Sequence, residues 1–279
     1  MTELAAPRTS RTGRDLPVAT AVGVGLLVVV VLSLFIVKEV FAGLAVLVVC
    51  AALWELAQAF TRRAIHLPLL PLLVGAVGIL VSAFTSGPEA LFVAFMLTVG
   101  GVVIWRVLDG SGPRALRDAT AGAFAAAYLP FLAGFVMLML AADDGPARVL
   151  LFILLVVASD TGGYAVGVLV GRHPLAPSVS PKKSWEGLVG SVVLACVVGV
   201  VGMQVAFHGE PLTGVFLGLA TVVTATLGDL CESMLKRDLE LKDMGTLVPG
   251  HGGILDRLDS LLLTAPAVYL ILTLLQPPA

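Results

Sequence analysis

Asp256 and Asp259 stand three residues apart at the entry to the last apolar run of the chain. Asp229, Glu232, Ser233 and Lys236 recur at three- and four-residue steps where the preceding run ends. On helices those spacings put each set on one face. Two carboxylate faces brought together, with Ser and backbone oxygens nearby, make an all-oxygen site suited to Mg²⁺. Between the two sets lie Lys236-Arg237, Lys242-Asp243 and Pro249-Gly250-His251-Gly252-Gly253, with Arg257 following Asp256. Glycines flanking His251 let backbone approach a phosphate closely. The plain alternative is a solvated charged loop, yet such loops rarely set glycines and a proline between matched acidic and basic clusters. His251 itself can ligate a metal, donate to a phosphate or face solvent. With no Cys beside it, a structural zinc site is disfavoured.

Two earlier segments carry related chemistry. In Ser180-Pro181-Lys182-Lys183-Ser184-Trp185-Glu186-Gly187, Ser184 is placed to cap a following helix, and helix N-termini favour anions. Lys182 and Lys183 supply point charges for phosphate oxygens; the alternative is a pair of basic membrane anchors. Ser159-Asp160-Thr161-Gly162-Gly163-Tyr164 sets an ionisable residue inside an apolar run. Such a residue costs about 2.5–3.5 kcal/mol on insertion scales, so it marks a site or a packed polar pair. Gly162-Gly163 allows either a helix break or close approach of another backbone.

The elements that must position these groups are membrane helices. Of 279 residues, 58% are hydrophobic and 13% charged, against about 25% charged in soluble domains. Mean hydropathy is +1.02. This composition excludes an ordinary cytosolic enzyme, a nucleic-acid binder and a disordered chain. Cys50, Cys196 and Cys231 lie in apolar runs and read as small hydrophobes, not a disulfide framework. A spanning helix needs about 20 apolar residues. Nine runs qualify: 16–37, 40–60, 67–84, 90–107, 119–141, 149–171, 187–207, 212–230 and 258–275. With alternate ends on alternate sides, all but Lys38 and Arg148 of the 17 Lys and Arg fall on one side. Basic loops stay in the cytoplasm, so the N-terminus and the loops 172–186 and 231–257 are expected there, with the C-terminus outside. The expected fold is an all-α, polytopic membrane protein. A tail over 1–15 leads into a scaffold of about five helices (16–145), then a catalytic region of about four (146–279).

The stretch Ser233-Met-Leu-Lys236-Arg237, Lys242-Asp243-Met-Gly245, Val248-Pro249-Gly250-His251-Gly252-Gly253-Ile-Leu-Asp256-Arg257-Leu-Asp259 resembles the signature of the phosphatidate cytidylyltransferases, or CDP-diacylglycerol synthases. Val248 departs from it, at a position where Leu, Ile or Phe is more usual. Ser180–Gly187 and Ser159–Tyr164 are similar to two further family stretches. The resemblance implies transfer of a cytidylyl group from CTP to phosphatidate at the cytoplasmic face of the cell membrane, in a homodimer that binds no nucleic acid. It assigns Mg²⁺ to Asp229 and Asp256, with a second cation such as K⁺ beside it. It places Ser180, Lys182 and Lys183 at phosphate groups, and Asp160 and Asp259 as organisers of the cavity. Ser233, Lys236, Arg237, Asp243, His251, Gly252, Gly253 and Arg257 are then expected among the substrate-binding and catalytic groups. A lipid or polyprenol kinase, also Mg²⁺-dependent, is the enzymatic alternative. An anion transporter would spread polar residues across both sides of the midplane, and here they gather on one.

Overall fold

The computed structural model describes residues 25, 28–110, 112–245, 247 and 252–276. The start of the first expected run and His251 therefore lie outside the described residues. Helix α1 is seen over residues 28–36 and ends at Val37, whose backbone is extended. Helices α2 (Lys38–Thr61), α3 (Leu69–Asp109), α4 (Pro113–Ala141), α5 (Gly145–Val170), α6 (Trp185–Phe207), α7 (Pro211–Asp238) and α8 (Leu255–Leu275) follow. These seven, among the described residues, are long and apolar enough to cross a membrane.

Nine runs were expected, and α3 accounts for one of the missing two. Its 41 residues would span about 60 Å if straight, twice the hydrocarbon thickness. It is not straight. Gly87 has φ 86° and ψ −169°, followed by Pro88. That left-handed φ suits a residue without a Cβ. The limbs on either side fold back on each other, so that a Cβ at Gly75 would collide with the Thr98 side chain. Gly134 of α4 likewise faces both Ile79 and Leu91. The two limbs are the expected runs 67–84 and 90–107, joined in an antiparallel hairpin. The other missing run is the first, of which α1 is the described part.

Polar ties clamp the two ends of the bundle. At one end Asp118 accepts from the His66 backbone N–H at 3.0 Å and pairs with Arg106. At the other, the Arg148 side chain is only 3% exposed. Its Nε donates to Asp144 at 2.6 Å, and its guanidinium also donates to the Gln276 carbonyl at 2.7 Å. This explains why a basic residue stands against the charge bias: Arg148 ties the starts and ends of helices at that face. A π turn over Ala127–Phe131 in α4 takes up Pro130, which has no N–H to offer the helix.

Helices α5 to α8 pack in sequence, and α5 also touches α8, closing a four-helix group. Backbones approach closely where Gly162 of α5 meets Gly190 of α6, and again where Gly199 of α6 meets Gly214 of α7. At the first crossing, the Ser191 hydroxyl donates to the Ser159 carbonyl at 2.6 Å. Small residues at such crossings let helices gain dispersion contacts that lipid cannot replace. Helix α5 is unbroken through Gly162-Gly163, so those glycines serve close approach. Phe135 of α4 stacks edgewise on Tyr269 of α8 and joins the two halves.

The all-α expectation needs one amendment. The connection from α5 to α6 is a small antiparallel hairpin of β1 (Pro174–Ala176) and β2 (Ser180–Ser184), with Pro174 opposite Ser184. Ser184 caps α6 as expected, accepting from the Gly187 N–H at 3.1 Å. The Glu186 carboxylate accepts from the backbone N–H groups of Arg172 and His173, and bonds the His173 ring at 2.6 Å. That seals the base of the hairpin. His173 is thus a structural partner of Glu186.

Candidate active site

The three chemically dense segments meet in one cavity of about 500 Å³ between α5, α6, α7, α8 and the β hairpin. Asp160 reaches it from α5, and Ser180, Lys182 and Lys183 from β2. Asp229, Glu232 and Lys236 come from α7, Asp243 from the loop beyond it, and Asp256, Arg257 and Asp259 from α8. Ser159, Ser191, Thr226 and Ser260 add hydroxyls. Sequence spacing put the α7 set on one face, and the helix does continue to Asp238 as that requires.

Two ion-pair systems organise the cavity. Lys183 Nζ lies 2.5 Å from Asp229 Oδ2, joining β2 to α7. The Ser233 hydroxyl donates to the other Asp229 oxygen at 3.3 Å. Lys236 Nζ bridges Glu232 Oε2 at 2.6 Å and Asp256 Oδ1 at 2.7 Å, joining α7 to α8. Glu232 and Asp256 are buried, with side chains 2% and 6% exposed. Asp256 also accepts from the Met244 N–H at 3.1 Å and the Gly253 N–H at 2.7 Å. Its carboxylate thereby holds both the strand of loop before α8 and the turn into it. Gly252, with φ 89°, has Asp256 and Asp243 against the place a Cβ would take. The Asp259 carboxylate accepts from the Ser260 N–H at 2.7 Å.

Other expected site residues sit differently. Arg237 is exposed at the end of α7 and does not line the cavity. Gly252 and Gly253 lie behind Asp256 and shape the loop. Lys182 lines the cavity, is exposed, and forms no ion pair among the described residues. It is free to meet an incoming anion.

The chemistry of the donor set fits a hard cation. Six carboxylates face four cationic side chains across the cavity, and hard cations take oxygen ligands. Glu232 Oε1 is buried with no hydrogen-bond partner among the described residues, a costly state that a cation would relieve. Among the described residues no three acidic, His or Cys side chains converge as a ready-made metal cage. The ammonium groups of Lys183 and Lys236 stand on the two carboxylates that the resemblance gives to a metal, Asp229 and Asp256, and neutralise them in part.

Glu55 escaped the sequence reading, which took residues before 145 as lipid-facing scaffold. Its side chain is buried toward the C-terminal end of α2, with 1% of the residue exposed, and reaches the loop before α8 and its first residue. An ionisable residue in an apolar run is the same signal that singled out Asp160. Its place in the last two turns of the run made it pass for an interfacial charge.

A model of the cytidylyltransferase family matches residues 17–275. The phosphatidate cytidylyltransferase of Mycobacterium leprae is 39% identical, over 96% of this chain and 90% of its own length. That of Mycobacterium bovis is 36% identical, over 97% and 92%. The phosphatidate cytidylyltransferase of Helicobacter pylori is 41% identical over 54% of this chain and 58% of its own.

Proposed function

The chain belongs to the cytidylyltransferase family, and on that footing we propose that it converts CTP and phosphatidate to CDP-diacylglycerol and pyrophosphate. The observation that carries this beyond kinship is a single polar cavity, cut into a bundle of apolar helices, in which carboxylates and lysines are interleaved. One substrate is a two-chain lipid held in the bilayer, and the other is a highly charged nucleotide from water. Only a polar pocket at the membrane surface admits both.

A phosphate oxygen of phosphatidate attacks the α-phosphorus of CTP, and the bond from that phosphorus to the β-phosphate bridging oxygen breaks. The lipid phosphate is already anionic, so no side chain need serve as a covalent nucleophile. Positioning and charge neutralisation supply most of the catalysis in such transfers. Lys182, unpaired among the described residues, meets the incoming phosphates, and Lys183 joins it on leaving Asp229. Arg257 lines the same wall. Asp229 and Asp256 would hold Mg²⁺, which when bound neutralises triphosphate charge and makes the α-phosphorus more electrophilic. A second cation such as K⁺ and assembly as a homodimer belong to the same proposal and rest on the family resemblance.

The label distribution in the product tests the reaction. With α-³²P CTP and phosphatidate, counts are expected in the organic phase; with γ-³²P CTP they are expected in aqueous pyrophosphate. Organic counts from the γ label alone would establish a lipid kinase instead.

Nine spans with a cytoplasmic N-terminus complete the proposal, supported by the α3 hairpin and the charge bias. Single Cys probes replace Ser178 and Glu210, both exposed, in a chain without its three native Cys. The Glu210 probe is expected to react with a membrane-impermeant thiol reagent in intact cells. The Ser178 probe should react only in inside-out vesicles. Labelling of Ser178 from outside would invert the bundle and remove the cavity from cytosolic nucleotide.

A further inference from the structure

Glu55 Oε2 accepts from the backbone N–H of Leu255, the first residue of α8, at 3.0 Å. Its Oε1 accepts from the Leu247 N–H at 3.4 Å. These bonds join α2 to residues about 200 positions away, across the two halves of the chain. The carboxylate satisfies one of the N–H groups left open at a helix start, and its charge suits the positive end of the α8 dipole.

The same carboxylate explains two small residues of the motif. A Cβ on Gly253 would lie 2.8 Å from Glu55 Oε2 and 2.7 Å from the Gly245 nitrogen. A Cβ on Gly245 would strike the Glu55 carboxylate directly. Glu55 thus fills, from the scaffold side, the space that side chains at 245 and 253 would need. From the cavity side Asp256 takes the N–H groups of Met244 and Gly253. The backbone on either side of α8's start is gripped between two buried carboxylates, one from each half of the protein.

We propose that Glu55 is a positioning residue for the reaction: it sets the α8 entry so that Asp256, and through it Lys236, face the cavity in register. The helices of the first half are then part of the catalytic apparatus. This rests on the proposed cytidylyl transfer. Both Glu55 oxygens accept N–H bonds, so a carboxamide cannot replace it: its NH₂ would face a backbone donor.

Glu55→Gln is expected to lower kcat by about 100-fold, in line with a displacement of the order of 1 Å at reacting groups, while KM for CTP changes little. Hydrogen–deuterium exchange of the detergent-purified protein should show faster exchange in peptides covering residues 243–257 and no change in α5 or α6. Gly43→Ala, on the same helix with open space around it, should leave both readouts as they are. If Glu55→Gln does not accumulate folded, Gly245→Ala carries the test, because it pushes on the same carboxylate from the loop. Wild-type kcat and exchange in the variant that folds would overturn the assignment, as would acceleration of exchange throughout the bundle. Lack of cytidylyl transfer by the unmodified protein would overturn the proposed activity, and the exchange measurement would still decide whether Glu55 holds the loop.

Discussion

Asp256→Asn is expected to lower cytidylyl transfer by about 10³-fold, the upper end of the range for losing one preorganised electrostatic contact at a reaction centre. Two effects combine in that loss. Asparagine keeps the shape of the side chain but removes the negative charge that a hard cation and Lys236 both require. It also turns an acceptor-only group into one that carries its own donors. Asp256 accepts from the N–H groups of Met244 and Gly253, and an amide NH₂ facing either leaves that donor unpaired. Purified protein assayed with α-³²P CTP and phosphatidate across a Mg²⁺ series gives the measurement. A variant that turns over at the wild-type rate at ordinary Mg²⁺ would remove Asp256 from the metal-binding pair. Recovery at raised Mg²⁺ would instead confine its role to cation affinity.

Lys236→Ala is expected to damage stability as well as turnover. Lys236 is the counter-charge shared by Glu232 and Asp256, both buried. Without it two carboxylates face each other away from water, and among the described residues Glu232 already has one oxygen unpartnered. Breaking a buried ion pair from one side costs about 3–5 kcal/mol, which should appear as a marked fall in thermal midpoint in detergent. The double variant Lys236→Ala/Glu232→Gln removes one of the stranded charges. It should regain much of the lost stability and little of the activity, because the cationic contact to Asp256 is still missing. A Lys236→Ala protein as stable as the wild type would show that the bridge does not hold α7 to α8.

Much of this site was legible in the sequence because the signals are local. The α7 pairs Asp229–Ser233 and Glu232–Lys236 are four apart, and helical geometry alone brings them together. Ser184 capping at Gly187 is equally short-range. The long-range partners of Asp256 and Lys183 are a different matter. Lys183 meets Asp229 only because β2 comes up against α7, and a segment read simply as a loop gave no sign of that hairpin. The same holds for the pairing that covers the would-be metal ligands with lysines. Spacing showed which charges were available, not which would touch.

Membrane insertion judges each segment by its own transfer energy, so run length, charge bias and the costly polar residues within runs were determined by the sequence alone. The all-α bundle and the three segments of the site follow from that. Two limbs of α3 could be listed from their hydropathy, but their fold-back at Gly87 shows in the packing of Gly75 on Thr98. Glu55 shows the limit most clearly. Its partners lie about 200 residues along the chain, and a buried carboxylate can be satisfied by any helix end or loop that arrives beside it. Which one arrives is decided when helices from the two halves pack, since lipid offers each of them the same apolar contact and only small-residue crossings and buried polar partners tell one neighbour from another.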